Sequence, residues 1–177
     1  MPNSRLLSPH FNETFIPERT NIYQLLNLVS REDIDKLSIE EISDKTDIPT
    51  GKSSGKVKPT ILYSEGMNLI RVCDNTHVLT EFGREVLEVD PTMNEPITLW
   101  MMHAFLSDSE IGAYNWNKLF SLWDSSTVLS KGQISQILNL SEKVAAPIWS
   151  MYTQQIGFLR AGILVEDNGL YRRGEFP

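Results

Sequence analysis

The stretch from residue 49 to residue 80 decides the fold, and it reads PTGKSSGKVKPTILYSEGMNLIRVCDNTHVLT. Its first part carries three lysines and no acidic residue, and apolar residues follow at helical spacing from Val57 to Met67. Two short runs rich in β-branched residues then flank Asp74 and Asn75, a pair that favours a turn. The stretch therefore predicts a lysine-bearing helix followed by a β-hairpin.

Helices are predicted on both sides of this stretch. Before it, residues 21–29 carry a one-sided apolar stripe, and Ser38 followed by two glutamates is typical of a helix start. After it, Thr80 is suited to cap a helix over 81–89. The order of helix, helix, lysine-bearing helix, hairpin and helix is that of a winged helix-turn-helix module. We expect this module over 20–90, with 1–19 as an extended N-terminal arm.

The second half repeats this pattern loosely. Residues 90–95 are predicted to be a linker, 97–106 a buried apolar helix, 131–138 a short helix and 141–161 a longer helix ended by Gly162. Asn168 and Gly169 lie between apolar runs, which predicts a second hairpin. The start of the long helix, SEKVAAP at 141–147, weakly resembles SGKVKP at 54–59.

The predicted fold class is therefore mainly α with small β-hairpins (α+β). We expect tandem winged helix-turn-helix modules joined by an apolar helical segment. Residues 91–177 would hold that segment together with the second winged-helix-like module.

Composition excludes several functions. The chain has 177 residues, and 16 basic against 23 acidic residues give a net charge of −7, which excludes a broadly basic nucleic-acid coat. The single cysteine excludes an intramolecular disulfide framework and a cysteine-rich zinc site. No apolar run approaches the roughly 18 residues of a membrane span, and no signal peptide is evident. We expect a cytoplasmic protein without membrane association.

No catalytic or metal-ligating pattern is visible. The three histidines lie far apart in the sequence, and His103 falls in an apolar helix, as a core or interface histidine would. The sequence Gly51-Lys52-Ser53 is not a phosphate-binding loop, because Thr46 stands where the first glycine of that motif is required. We expect a protein that is not an enzyme and uses no cofactor or metal.

Polar and basic residues of the lysine-bearing helix and the hairpin tip are candidates for binding DNA phosphates. The alternative is that these residues form an ordinary solvent-exposed helix face that binds no DNA. Arg172 and Arg173, beside the second hairpin, form another local basic candidate. The four tryptophans favour core packing, with an aromatic pocket as the alternative. The candidate DNA-binding residues are Thr50, Lys52, Ser53, Ser54, Lys56, Lys58, Asn75 and Thr76.

Several segments resemble a known family. Residues 48–57 and 65–70 are similar to the recognition-helix segment of the bacterial family called domain of unknown function 4007. Residues 79–84 and 95–103 resemble its next two stretches, and Glu13-Thr14-Phe15 resembles its N-terminal signature. The sequence departs from the family pattern at Asn12, where a histidine is usual, and at Arg19, which lies one place late. The resemblance covers about residues 10–125.

The resemblance implies a role in bacterial gene clusters for DNA sulfur modification (phosphorothioation) and phage defence, and it provides no catalytic residues. We therefore expect a non-enzymatic DNA-binding accessory or regulatory subunit of such a system. The expected partners are double-stranded DNA, bare or phosphorothioate-modified, and proteins of the same cluster, with a homodimer as one possible state. The alternative is a protein–protein adaptor that docks a partner enzyme through its acidic and aromatic surface without contacting DNA.

Overall fold

The structure is a computed structural model that describes residues 6–51 and 55–176. These residues form a mixed α+β fold of eight α-helices, two short 3₁₀ helices and two small antiparallel sheets. In chain order the α-helices are α1 (Arg19–Val29), α2 (Ile39–Thr46), α3 (Val57–Gly66), α4 (Glu81–Val89), α5 (Pro96–Leu106), α6 (Tyr114–Leu122), α7 (Lys131–Leu138) and α8 (Glu142–Thr153). The strands are β1 (Ile70–Cys73), β2 (Thr76–Leu79), β3 (Val128–Ser130), β4 (Leu164–Asp167) and β5 (Leu170–Arg173).

Two helix starts follow directly from the sequence. The Ser38 hydroxyl accepts the amide hydrogen of Glu41, whose carboxylate in turn accepts the amide hydrogen of Ser38, so a reciprocal capping box opens α2. The Thr80 hydroxyl accepts the amide hydrogen of Gly83 at the start of α4. Both caps are the predicted ones.

The lysine-bearing helix, α3, begins at Val57. In the sequence, Ser53 and Ser54 are each suited to cap this helix, and both lie outside the described part of the chain. The residue at the N-cap position of α3 is Lys56, which makes no side-chain capping bond. The amide of Lys56 donates to the carbonyl oxygen of Pro49.

Both predicted hairpins are present. Strands β1 and β2 pair from Ile70 with Leu79 to Cys73 with Thr76, and the tip residues Asp74 and Asn75 both have positive φ. Strands β4 and β5 pair around the tip at 168–169, where φ is again positive. Strand β3 was not predicted, and it adds to this second hairpin to give the order β3-β5-β4.

The long helix is shorter than its predicted span of 141–161. Helix α8 ends at Thr153, and a 3₁₀ helix (Leu159–Ala161) precedes the second hairpin. The chain turns back on itself at Gly157, where a Cβ would lie 2.3 Å from the carbonyl oxygen of Met151. That carbonyl accepts the amide hydrogen of Phe158. The backbone therefore folds back onto α8 where the sequence predicted the last turns of the long helix.

The N-terminal segment packs on the rest of the protein. Leu7 pairs with Ala113 in a parallel bridge, and Phe11 is buried. The Phe11 ring lies 4.8 Å from the Tyr63 ring and 5.8 Å from the Trp116 ring, measured between centroids. Because Tyr63 belongs to α3 and Trp116 to α6, these rings join the two halves of the chain.

One continuous hydrophobic core runs through both halves of the chain. Helix α5 contributes Leu99, Met102 and Leu106 to this core, and all three are completely buried. The predicted domain division near residue 90 remains a prediction. None of the helices in the described parts of the chain has the length and hydropathy needed to cross a bilayer.

Candidate nucleic-acid interface

The candidate DNA-binding residues occupy different kinds of position. Thr50 and Lys58 are exposed near the start of α3, and Asn75 is exposed at the tip of the first hairpin. Lys56 and Thr76 are half-buried. Lys52, Ser53 and Ser54 lie outside the described residues.

Lys56 is held by the segment that precedes α1. Its ammonium forms an ion pair with the Glu18 carboxylate and lies 6.0 Å from the centre of the Phe15 ring. The two charged side chains keep 30% and 22% of their exposure, so water still reaches the pair. Partly exposed ion pairs of this kind contribute about 1 kcal/mol or less. A phosphate group could therefore compete with Glu18 for Lys56.

A groove opens beside Lys56. It has a volume of about 260 Å³ and lies between residues 14–18, the start of α3, and α8 with the residues that follow it. Lys56 and Lys143 both line it, and Glu18 is the one acidic residue among the described residues that line it. The remaining lining residues are apolar or neutral: Thr14, Phe15, Ile16, Ala146, Pro147, Ser150, Gln154 and Ile156.

Lys143 was absent from the predicted set. It is exposed in the first turn of α8, as Lys58 is in the first turn of α3. The signal that pointed to it was the weak internal repeat, which places Lys143-Val144 opposite Lys56-Val57. The fold brings these two helix starts to one groove, so the repeat pairs residues that are close in space.

Arg19 holds together the segments that border this groove. Its guanidinium donates to the carbonyl of Gln155 at 2.8 Å and to the carbonyl of Met93 at 3.0 Å. It also donates to the side-chain oxygen of Asn94 at 2.6 Å. The start of α1 is thereby tied to the segment that follows α8, which bounds the groove.

The hairpin is fixed to the other end of α3. His77 on β2 places its Nε2 atom 2.6 Å from the Glu65 carboxylate and its Nδ1 atom 2.8 Å from the Asp35 carboxylate. The hydrogen bond to Glu65 raises the pKa of His77 against the effect of burial, and Asp35 raises it further. A ten-residue helix is about 15 Å long, so Glu65 and Lys56 mark opposite ends of α3. Asn75 and Thr76 consequently do not line the groove.

The two arginines of the second hairpin have different environments. Arg173 is half-buried and donates to the carbonyls of Phe120 and Trp123 at 3.2 and 2.9 Å. Its guanidinium also lies 5.5 Å from the centre of the Phe120 ring. Arg172 is exposed. Arg173 therefore stabilises the fold, and Arg172 is the arginine of this pair that faces solvent.

The tryptophans and His103 belong to the core. Trp116, Trp123 and Trp149 are buried, which confirms the core-packing interpretation for these three. His103 is also buried, with Nδ1 2.7 Å from the hydroxyl oxygen of Tyr152. Burial, with a smaller contribution from Arg173, lowers the pKa of His103 to about 3. This histidine is neutral in the folded protein at physiological pH.

Comparison with protein-family models finds no match for this chain, and no curated protein matches it. Two solved structures are similar in fold. One is a magnesium ion-bound SspB crystal structure, with a TM-score of 0.72 and 17% sequence identity. The other is an SspB crystal structure with a TM-score of 0.69 and 18% identity. Each comparison covers 95% of this chain and 60% of the SspB chain.

At these identities the likeness shows the fold, and this chain spans about three fifths of the SspB length. The magnesium ion belongs to that SspB structure. Within residues 6–51 and 55–176 of this chain, no group of three or more histidine, cysteine, aspartate or glutamate side chains could hold a metal ion. The chain is thus a mixed α+β protein with an SspB-like fold and a lysine-lined groove.

Proposed function

We propose that this protein is a non-enzymatic DNA-binding accessory subunit of a bacterial DNA-modification (phosphorothioation-type) or phage-defence system. The observation that carries the proposal is that Lys56 and Lys143, at the starts of two similar helices, line one groove. Lys58, two residues after Lys56, is exposed. Ammonium groups grouped in this way suit the phosphates of a DNA backbone.

The order of elements supports two winged helix-turn-helix modules. The second half runs helix, strand, helix, helix, strand, strand, and the strand from the first connection pairs with the last strand. The first half has three helices followed by a hairpin but no corresponding strand among its described residues. In both halves the helix before the hairpin, α3 or α8, would be the recognition helix.

The net charge of −7 requires the DNA-binding charge to be local. The groove supplies it through two lysines set against a single carboxylate. When DNA binds, a phosphate would replace Glu18 as the partner of Lys56, while Lys58 and Lys143 would contact neighbouring phosphates. Asn75 and Thr76, at the far end of α3, would contact the backbone separately, through the wing.

The role in a defence system rests on the family resemblance of residues 10–125. It predicts that the relevant duplex carries phosphorothioate linkages. Sulfur in place of a non-bridging phosphate oxygen keeps the negative charge, so lysines bind both forms. A preference for the modified duplex would therefore arise from contacts beside the charge, such as those of the apolar groove residues Phe15 and Ile16.

The proposal is tested by fluorescence anisotropy with a short labelled duplex, bare and phosphorothioated, at rising salt concentration. We expect binding at low salt that weakens steeply as salt is added. Lys143→Gln should weaken binding at least fivefold. Lys45→Gln is the control with the same change in net charge, because Lys45 is likewise an exposed lysine on a helix, α2, but lies outside the groove.

Two results would contradict the proposal. One is the absence of binding to either duplex at low salt. The other is an equal effect of Lys143→Gln and Lys45→Gln, because binding would then depend on total charge and not on the groove.

A further inference from the structure

Helices α4 and α5 leave a group of large apolar side chains in contact with solvent. Val89 is 72% exposed, Ile97 is 47% exposed and Met101 is 41% exposed. Single exposed apolar residues are common on protein surfaces, but these three line the same groove. Scattered exposed apolar residues need no special explanation, but a cluster of them on one face does.

The sequence of the two helices builds this α4–α5 groove. Phe82, Val86 and Val89 follow one another at spacings of four and three residues, so they form one stripe along α4. Ile97 and Met101 lie one turn apart on α5 and line the facing wall. The groove encloses about 260 Å³. Small-molecule pockets usually enclose about 300–1,000 Å³, so this volume better suits side chains of a macromolecule.

The rim of the α4–α5 groove is acidic. Glu85 and Glu95 are exposed beside the apolar stripe, and neither forms an ion pair within the described residues. Asp90 also lines the groove, but its carboxylate accepts the amide hydrogens of Asn94 and Glu95. No basic side chain lines the groove in the described part of the chain.

We propose that the α4–α5 groove binds an amphipathic helix of a partner protein, with apolar anchors on one face and lysines or arginines beside them. The apolar anchors would fill the space between the α4 stripe and Met101, as in other helix-in-groove complexes. The basic side chains would pair with Glu85 and Glu95, which steers binding and sets the orientation of the helix. This surface is separate from the lysine-lined groove, so the proposal does not depend on DNA binding.

Charge complementarity decides against the other occupants. A second copy of this chain would bring two acidic rims together, and like charges in an interface are costly. DNA is excluded from the α4–α5 groove by the same rim. A partner with basic residues beside its apolar face satisfies both features of the groove.

The test uses a labelled designed peptide of about 18 residues, five helical turns, with leucines at i, i+3, i+4 and i+7 and with lysines beside them. A peptide of the same composition with scattered leucines is the control probe. Anisotropy with the full chain should show binding of the amphipathic peptide only. The double variant Val89→Asn/Met101→Gln should weaken this binding at least tenfold. The matched control Leu122→Asn changes another exposed apolar residue, 64% exposed, and should leave it unchanged.

The acidic rim is tested separately with Glu85→Gln/Glu95→Gln, which should weaken peptide binding several-fold and reduce its salt dependence. The proposal is overturned if the amphipathic peptide does not bind at 100 µM, or if it binds both groove variants as well as the wild type. It is also overturned if sedimentation shows a dimer that Val89→Asn/Met101→Gln dissociates, because the occupant is then a second copy. Lys143→Gln should leave peptide binding intact, which separates a failure here from a failure of the DNA proposal.

Discussion

The ammonium of Lys56 is ion-paired with the carboxylate of Glu18, the residue just before the first helix. The pair joins the N-terminal segment to the start of α3, at one side of the groove that Lys143 lines from α8. Lys56 is thus held in place by a partner that a phosphate can replace. This relationship makes Glu18 a competitor of DNA in the proposed function.

We therefore predict that Glu18→Gln tightens DNA binding about two- to fivefold. The change frees Lys56 and removes one negative charge from the groove, while a partly exposed pair of this kind contributes only about 1 kcal/mol to folding. Anisotropy with a short duplex gives the affinity, and urea unfolding gives the stability. Glu32→Gln is the matched control because it frees Lys45 with the same change in net charge. An equal gain in the two variants would refute the competition.

The His77 bridge predicts a loss of stability as pH rises above the ordinary histidine value of 6.5. Glu65 and Asp35 raise the pKa of His77 in the folded protein, so folding takes up a proton. The resulting stability is fully present below pH 6.5 and is lost as pH rises through the raised pKa. Urea unfolding at intervals from pH 6 to 9 measures this. The exposed His10, changed to Asn, is the control, and an unchanged pH profile in His77→Asn would contradict the prediction.

Buried His103 predicts the opposite pH dependence of stability, a loss of stability as the pH falls. Its pKa is lowered to about 3 in the folded protein, because burial disfavours the charged ring. In the unfolded chain His103 therefore becomes protonated near pH 6.5, whereas in the folded protein it becomes protonated only near pH 3. Stability should fall by up to about 1.4 kcal/mol per pH unit over this range.

The His103→Gln variant should lose this one-proton acid slope while keeping a neutral polar group near Tyr152. Unfolding measured from pH 7 down to pH 4.5 provides the comparison. Retention of the full wild-type slope in the variant would show that other groups cause the acid instability.

Two glycines provide a test of the packing between the first hairpin and α4. A Cβ at Gly83 would lie 1.9 Å from the carbonyl oxygen of Leu69, whereas a Cβ at Gly132 would meet nothing closer than 3.7 Å. We expect Gly83→Ala to destabilise the protein by about 2 kcal/mol or more, as overpacking does. Gly132→Ala, at an exposed position of α7, should be neutral or stabilising by up to about 1 kcal/mol. Urea unfolding of both variants measures the two changes in stability. Similar stabilities would show that Gly83 does not pack closely against Leu69.

Local features of the fold were predictable from the sequence. Ser38 and Thr80 cap the helices they were expected to cap, because hydroxyl side chains bind free amides at helix starts. The Asn75 and Asn168 turns form hairpins because asparagine tolerates positive φ. These features depend on neighbouring residues alone.

The features that the sequence did not predict depend on contacts between distant segments. Strand β3 (Val128–Ser130) has only three residues, and it forms by pairing with β5 (Leu170–Arg173), which is distant in the sequence. Helix α8 stops early because the backbone at Gly157 returns onto Met151. Lys143 became a candidate only when the fold placed it in the groove of Lys56. The α4–α5 groove likewise requires two helices to be placed side by side.

The most direct test of the central claim compares two triple variants with the same net charge. Lys56→Gln/Lys58→Gln/Lys143→Gln removes the two groove lysines and the neighbouring Lys58, and Arg31→Gln/Lys36→Gln/Lys45→Gln removes three exposed basic residues outside the groove. The measurement is the slope of log affinity for a short duplex against log salt concentration. Each phosphate contact contributes about 0.9 to this slope, so the groove variant should lose about two to three and the control variant much less. Equal slopes in the two variants would contradict the account.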